Sequence, residues 1–243
     1  MIENANAPLQ HLAIIPDGNR RWAKKQAMAL QNNLYQQGAD TTMQIIEAAF
    51  RLDIPCVTFW GSSYANLQSR APGFVAALED VMIKKFEELA VHPLIHEKHV
   101  RVEALGQWRE LLKPKTIQAI QKALDATAHY SNRLLTVLIG YDGRRERGAA
   151  VQDLMHSTPE IPQDELEAEK LLRRFSWTGH LPDVDLIIRT GSWQDPHNSA
   201  SFLTFLIGES QFCFPELLWP EFTPQHLKKI VHDFAQRERR MGK

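Results

Sequence analysis

The feature that most constrains this chain is the alternation of short apolar runs with longer amphipathic stretches. Candidate strands fall at 11–16 (HLAIIP), 55–61 (PCVTFWG), 98–105 (KHVRVEAL), 134–140 (LLTVLIG), 184–189 (VDLIIR) and 211–214 (QFCF). Between them, helical patterns run near 20–30, 38–52, 73–91, 114–130, 144–156, 163–175, 198–209 and 224–237. Strands rich in Val, Ile and Leu, separated by helices, predict an α/β fold with a mostly parallel six-stranded sheet covered by helices on both faces. In such sheets, ligands bind beyond the carboxyl ends of the strands. Asp17, the 61–66 loop, Tyr141–Arg145 and Arg189–Ser192 each follow directly on a candidate strand, so they are expected at one rim. No repeat, low-complexity tract or Pro/Gly-rich linker divides the chain, which predicts one domain over 11–243 after a tail at 1–10.

Composition narrows the function. The formal net charge of −1 gives no global field toward nucleic acid or an anionic membrane, so any anion site must be a local basic cluster. Cys56 and Cys213 sit inside apolar runs and read as buried free thiols of a reducing compartment. No apolar segment is long enough to span a bilayer, and MIENANAPLQ has neither a basic n-region nor an apolar h-region. A cytoplasmic location is expected, with at most peripheral membrane contact. There is no P-loop, no GxGxxG and no metal-type Cys/His spacing. No nucleophile–His–acid grouping stands out, and His129, His180 and His197 are isolated in sequence.

The stretch IIPDGNRRWA at 14–23 carries the most chemistry. Gly18 permits close backbone approach, and Asn19 can hydrogen-bond a phosphate or its own loop. Arg20 and Arg21 supply bidentate donors suited to phosphate oxygens. Asp17 would be repelled by a diphosphate unless a cation bridges them, and magnesium is held through one or two carboxylates plus substrate phosphates. The plain alternative is an Asp N-cap before a solvated basic turn. A second stretch, IIRTGSWQDPHNSASF at 187–202, delivers Arg189 from a strand into a loop of hydroxyls and amides. There Arg189, Ser192, His197, Asn198 and Ser199 can bind a second anion, and Asp195 adds a carboxylate. A surface loop with turn chemistry around Asp195-Pro196 is the competing reading. In helix 73–91, Phe74, Leu78, Val81, Met82, Phe86 and Leu89 recur at three- and four-residue steps. They form either a core stripe or one wall of an apolar tunnel.

Together these motifs resemble the cis-prenyltransferase family, of the undecaprenyl diphosphate synthase type. The resemblance runs from about His11 to Gly242. It rests on DGN-R-R-W-A after an apolar strand, Arg189-Thr-Gly after VDLII, the Gly140–Arg145 turn, LLWPEF at 217–222 and RERRMG at the end. It implies an enzyme that joins isopentenyl diphosphate to an allylic diphosphate with magnesium, forming cis double bonds. It also implies a homodimer in which the growing chain lies in an apolar tunnel. Carried over by position, Asp17 is the metal-associated carboxylate, and Asp17, Asn19 and Asn66 form the catalytic group. Gly18, Arg20, Arg21 and Trp22 hold the allylic diphosphate with Arg70. Arg189, with Ser192, His197 and Asn198, holds the isopentenyl diphosphate, and Arg240 reaches the partner subunit's site.

The chain also departs from the family pattern. LQNNLYQQG lacks a family Arg and His, with Leu34 or Tyr35 in the His place, and GSSYANLQSR lacks a Glu and a Trp. Asn198 and Ala200 stand where an Arg and a Ser are expected, and Gln211 stands where a metal-binding Glu is expected. Each lost charged hydrogen bond would cost ligand binding about 1.5–3 kcal/mol. Asp195, His197, Asn198 and Ser199 could rebuild a site, and Asp17 with Gln211 and Asp195 could carry magnesium. The alternatives left open are a divergent prenyltransferase, a non-catalytic subunit paired with an active relative, and an isoprenoid-diphosphate binding protein.

Overall fold

The computed structural model describes residues 8–26, 33–157 and 159–237. Six strands, β1 (His11–Ile15), β2 (Cys56–Trp60), β3 (Val100–Leu105), β4 (Arg133–Leu138), β5 (Leu186–Arg189) and β6 (Gln211–Cys213), form one sheet. Their order is β3-β4-β2-β1-β5-β6, and every neighbouring pair is parallel. The longer helices are α2 (Asn33–Arg51), α4 (Pro72–Leu89), α7 (Pro114–Thr127), α8 (Gly143–Ser157), α9 (Glu165–Arg174) and α10 (Pro224–Ala235). Shorter ones are α1 (Asn19–Lys25), α3 (Tyr64–Ser69), α5 (Pro93–Glu97) and α6 (Trp108–Leu111). Of these four, only α1 follows from the sequence pattern.

The strands are apolar on both sides because both faces are covered. Along β1, Leu12 and Ile14 join a core with α2, α4, α7 and α10, while Ala13 and Ile15 face a second core. That second core holds Leu138, Tyr141, Ile187, Phe202 and Leu206. The chain leaves β1 toward β2 on one side, and β5 later joins its other side. The sheet therefore has its switch point between β1 and β5, where a crevice opens beyond the carboxyl ends. The register pairs Ile15 with Arg189, which sets Asp17 and Arg189 at the crevice.

The helix expected at 198–209 does not form. Ala200, Ser201 and Leu203 have φ of 45°, 50° and 51° in the left-handed region, and the segment is a series of tight turns. Phe202 N–H donates to the Ser199 carbonyl and Leu206 N–H to the Leu203 carbonyl, both across three residues. The apolar periodicity reports burial: Phe202, Leu203 and Leu206 fill the second core. Left-handed non-glycine residues cost about 1–3 kcal/mol each, so the surroundings must hold this turn in place.

Candidate active site

Asp17 leaves β1 through Pro16 and ends at a backbone braced from two sides. Its carbonyl accepts Thr190 Oγ1–H at 2.7 Å and Trp219 N–H at 3.0 Å. The LLWPEF stretch is thus a structural strap: Trp219 also donates its indole N–H to the Gly38 carbonyl, and Gly191 N–H donates to the Leu217 carbonyl. Gly18 has φ of 108°, and a Cβ there would lie 2.8 Å from Leu218 Cδ2, so the strap leaves room for glycine alone.

The carboxylate of Asp17 gathers cations. Its Oδ1 accepts Gly18 N–H at 2.6 Å and Arg21 Nη2 at 3.3 Å, and its Oδ2 accepts Arg189 Nη2 at 3.1 Å. Arg189 is buried, with its side chain 7% exposed, while Asp17 is 39% exposed at the mouth. Arg189 Nη1 donates to the His197 carbonyl at 2.8 Å and to Ser199 Oγ at 2.6 Å. Its Nε and the Asn19 Oδ1 are buried without a hydrogen-bond partner.

These groups stand at the mouth of a cavity of about 810 Å³. The mouth carries Asp17, Asn19, Arg20, Arg21, Asn66, Arg70 and Arg189, together with Lys24, Tyr35, Ser62, Ser63 and Ser199. Much of the remaining lining is apolar: Met43 and Ile46 of α2, Phe59 of β2, Val137 of β4, and Leu78, Val81, Met82, Phe86 and Leu89 of α4. One cation interrupts that wall. Lys85 of α4 also lines the cavity and bridges Asp40 of α2 at 2.7 Å and Glu88 at 2.8 Å. Its two carboxylate partners outweigh its burial and raise its pKa.

The structure thus gathers Asp17, Gly18, Asn19, Arg20, Arg21, Asn66, Arg70 and Arg189 at one rim. Tyr35, in a position where the sequence reads as a loss, turns its hydroxyl to the site and accepts Arg70 Nη1 at 3.1 Å. Other expected residues are placed elsewhere. Trp22, Ser192, Asp195, His197 and Asn198 are not among the cavity's lining residues. Ser192 donates to the Asp195 carbonyl, and His197 turns its ring to Asp195, whose carboxylate is 89% exposed. Asn198 spends its amide on the Phe202 carbonyl, and it is the His197 carbonyl that meets Arg189. Gln211 begins β6 opposite Leu186, at the amino end of the sheet, and accepts Arg237 Nη1 at 2.9 Å. It is therefore held away from Asp17 within this chain. Arg145 stacks on Tyr64, 3.4 Å from the ring centroid, rather than lining the cavity. Arg240 lies outside the described residues.

The Asp17 carboxylate is a hard oxygen donor, whereas the Asn19 Oδ1 is buried against Gly38, and among the described residues no group of three acidic, His or Cys side chains could cage an ion. One such carboxylate fits a divalent cation shared with a bound diphosphate and not an all-protein site.

A family model described as "Putative undecaprenyl diphosphate synthase" matches residues 15–242. The chain belongs to this family. A relative from Methanopyrus kandleri, a tritrans,polycis-undecaprenyl-diphosphate synthase specific for geranylgeranyl diphosphate, is 34% identical over 236 residues. The match covers 96% of this chain and 84% of that protein. The isoprenyl transferase of Chlamydia trachomatis is 32% identical and covers all of this chain and 94% of its own. Among solved structures, the lavandulyl diphosphate synthase of Lavandula x intermedia, in complex with dimethylallyl diphosphate, superposes with a TM-score of 0.81 at 23% identity. That match covers 97% of this chain and 98% of the lavender chain. A probable undecaprenyl diphosphate synthase from Campylobacter jejuni gives 0.75 at 23%, with 98% and 100% covered. These two structures share the fold. As a member of the cis-prenyltransferase family, the chain is a prenyltransferase.

Proposed function

We propose that this prenyltransferase condenses isopentenyl diphosphate with an allylic diphosphate, and that the 810 Å³ cavity is the tunnel that takes the growing chain. The observation that carries this reading is the contact of Asp17 with Arg189 in the lining of a cavity that also carries the apolar face of α4. Arg20, Arg21 and Arg70 bind and orient the allylic diphosphate, with Lys24 beside them. Arg189 binds the second diphosphate, and Ser199 and the His197 carbonyl fix its direction.

As the allylic carbon–oxygen bond breaks, negative charge builds on the leaving diphosphate, and fixed guanidinium donors stabilise it where it forms. Magnesium, when bound at Asp17, supplies further neutralisation of that charge. The allylic carbon, now electron-poor, takes the electron pair of the isopentenyl double bond, and the cation so formed loses a proton from the isopentenyl C2 to the released diphosphate, which sets the new double bond. The apolar wall excludes water that would otherwise capture that carbon. On binding, Arg189 exchanges Asp17 for substrate oxygens, while Asp17, still held by Gly18 N–H and Arg21, would take the cation that bridges it to the diphosphate. No covalent enzyme intermediate is needed.

The test uses purified protein, magnesium and radiolabelled isopentenyl diphosphate, with dimethylallyl, geranyl and farnesyl diphosphate in turn. A labelled lipid is expected, and Asp17→Ala should lower its formation at least about 100-fold, as loss of a transition-state charge contact does. Undiminished magnesium-dependent turnover in Asp17→Ala would remove Asp17 from the chemistry. Folded protein that makes no product with any primer would favour the partner-subunit role.

A further inference from the structure

Glu146 of α8 is fully buried and lies outside the cavity lining. Its three hydrogen bonds all come from donors. One carboxylate oxygen accepts Thr178 N–H at 2.8 Å and Thr178 Oγ1–H at 2.6 Å, and the other accepts the Tyr141 hydroxyl. Because Tyr141 spends its proton on Glu146, its oxygen is free to accept, and it accepts Leu203 N–H at 3.1 Å. Burial and the adjacent carboxylate push the Tyr141 phenol well above its ordinary range, so this donor stays protonated.

Leu203 ends the strained turn. Three of the four residues from Ala200 to Leu203 have left-handed backbones that L side chains rarely adopt. The turn is pinned at its other end by Gly143 N–H, which donates to the Ala200 carbonyl at 2.8 Å. Both pins, Tyr141 and Gly143, belong to the segment after β4 that leads to Glu146. Directly before the turn stand the two acceptors that aim Arg189, Ser199 Oγ and the His197 carbonyl.

We propose that Glu146 is a positioning residue for the isopentenyl diphosphate site, acting through Tyr141 and the 200–203 turn to aim the Arg189 guanidinium. This rests on the reading that Arg189 grips that diphosphate. Without the Tyr141 hydroxyl, Leu203 N–H loses its acceptor and the strained turn is released, so Ser199 and the His197 carbonyl shift. Glu146→Gln places an amide donor against a donor and has the same effect one step earlier. The allylic side, held by α1 and Arg70, meets this network only through the Tyr141 backbone, which pairs with Ser62 and Tyr64 ahead of α3 and which Tyr141→Phe leaves in place.

Calorimetric binding of isopentenyl diphosphate and, separately, farnesyl diphosphate to full-length Tyr141→Phe, Glu146→Gln and Arg189→Ala tests the inference without requiring turnover. We expect Kd for isopentenyl diphosphate to rise about tenfold in Tyr141→Phe and Glu146→Gln, the scale of one misplaced charged contact, with Kd for farnesyl diphosphate within about twofold. If Arg189→Ala weakens isopentenyl diphosphate but Tyr141→Phe does not, the positioning role is wrong while the Arg189 reading stands. If Arg189→Ala leaves that Kd unchanged, the underlying reading fails and the inference falls with it. Equal weakening of both ligands would mark the network as general scaffolding and overturn the proposal. Should Glu146→Gln not fold, Tyr141→Phe, which keeps the ring and its packing on Phe202 and Trp177, decides alone.

Discussion

At the scale of the residue, two buried ionisable side chains have unlike fates. Glu146 meets three donors, whereas His11, fully buried at the start of β1, must stay neutral. Its Nδ1 lies 2.8 Å from the Pro182 carbonyl, which can only accept, so Nδ1 carries the proton and Nε2 accepts the Thr58 hydroxyl. Burial, opposed by that backbone bond and by Asp185 and Asp183, lowers the His11 pKa from 6.5 to about 4. The folded state thus refuses a proton that the unfolded chain accepts. The stability this represents is present in full above pH 6.5 and is lost as pH falls toward 4. The loss should approach about 3 kcal/mol at the acid end, from 1.36 kcal/mol per pK unit. Urea unfolding of wild type and His11→Gln from pH 7 to 4 checks it. The variant should start less stable and show a shallower acid decline. Parallel pH profiles would mean that His11 does not carry this term.

At the scale of the element, α4 shows what an apolar stripe can be. Met82, Phe86 and Leu89 are buried in the main core, yet with Leu78 and Val81 they also line the cavity. One helix face thus serves as core and as cavity wall, which is why its period is compatible with either reading. Val81 is half-buried and borders the cavity. Val81→Trp should fill part of that volume and shorten the longest product, while the first condensation at the mouth continues. Sizing the labelled lipids checks this, and an unchanged length distribution would place the chain elsewhere. The cost in stability should stay near or below about 1–3 kcal/mol, because the added ring enters open space more than packed core.

At the scale of the whole molecule, we propose a homodimer whose Arg240 tail completes the neighbour's site. A two-fold pair gives each site one Asp17 and one tail from the other subunit. Asp17→Ala and Arg240→Ala homodimers should then both be weak. Mixing them after subunit exchange should restore about a quarter of wild-type activity, since half the dimers are mixed and each has one intact site. Sedimentation of the mixture would confirm the dimer. No recovery on mixing would show that the tail serves its own subunit.

What the sequence determined by itself was the part written in local pattern. Apolar runs spaced by amphipathic stretches set a parallel α/β sheet, and strand-following polar residues set the rim that holds Asp17 and Arg189, while Arg70 came from the family resemblance alone. The run DGNRR marked one part of the site because its chemistry sits on five consecutive residues, while Trp22, which follows them, does not line the cavity. What only the tertiary structure decided were pairings between residues far apart in the chain. Tyr35 facing Arg70, Lys85 bridging α2 to α4, and Gln211 held by Arg237 depend on how helices and strands pack, which no local spacing encodes. The 198–209 segment makes the same point about backbone. Its periodicity suited a helix, but burial of Phe202, Leu203 and Leu206 beside Tyr141 favoured strained turns. Local propensity is worth tenths of a kcal/mol per residue, and burying three large apolar side chains is worth several, so packing overrode it.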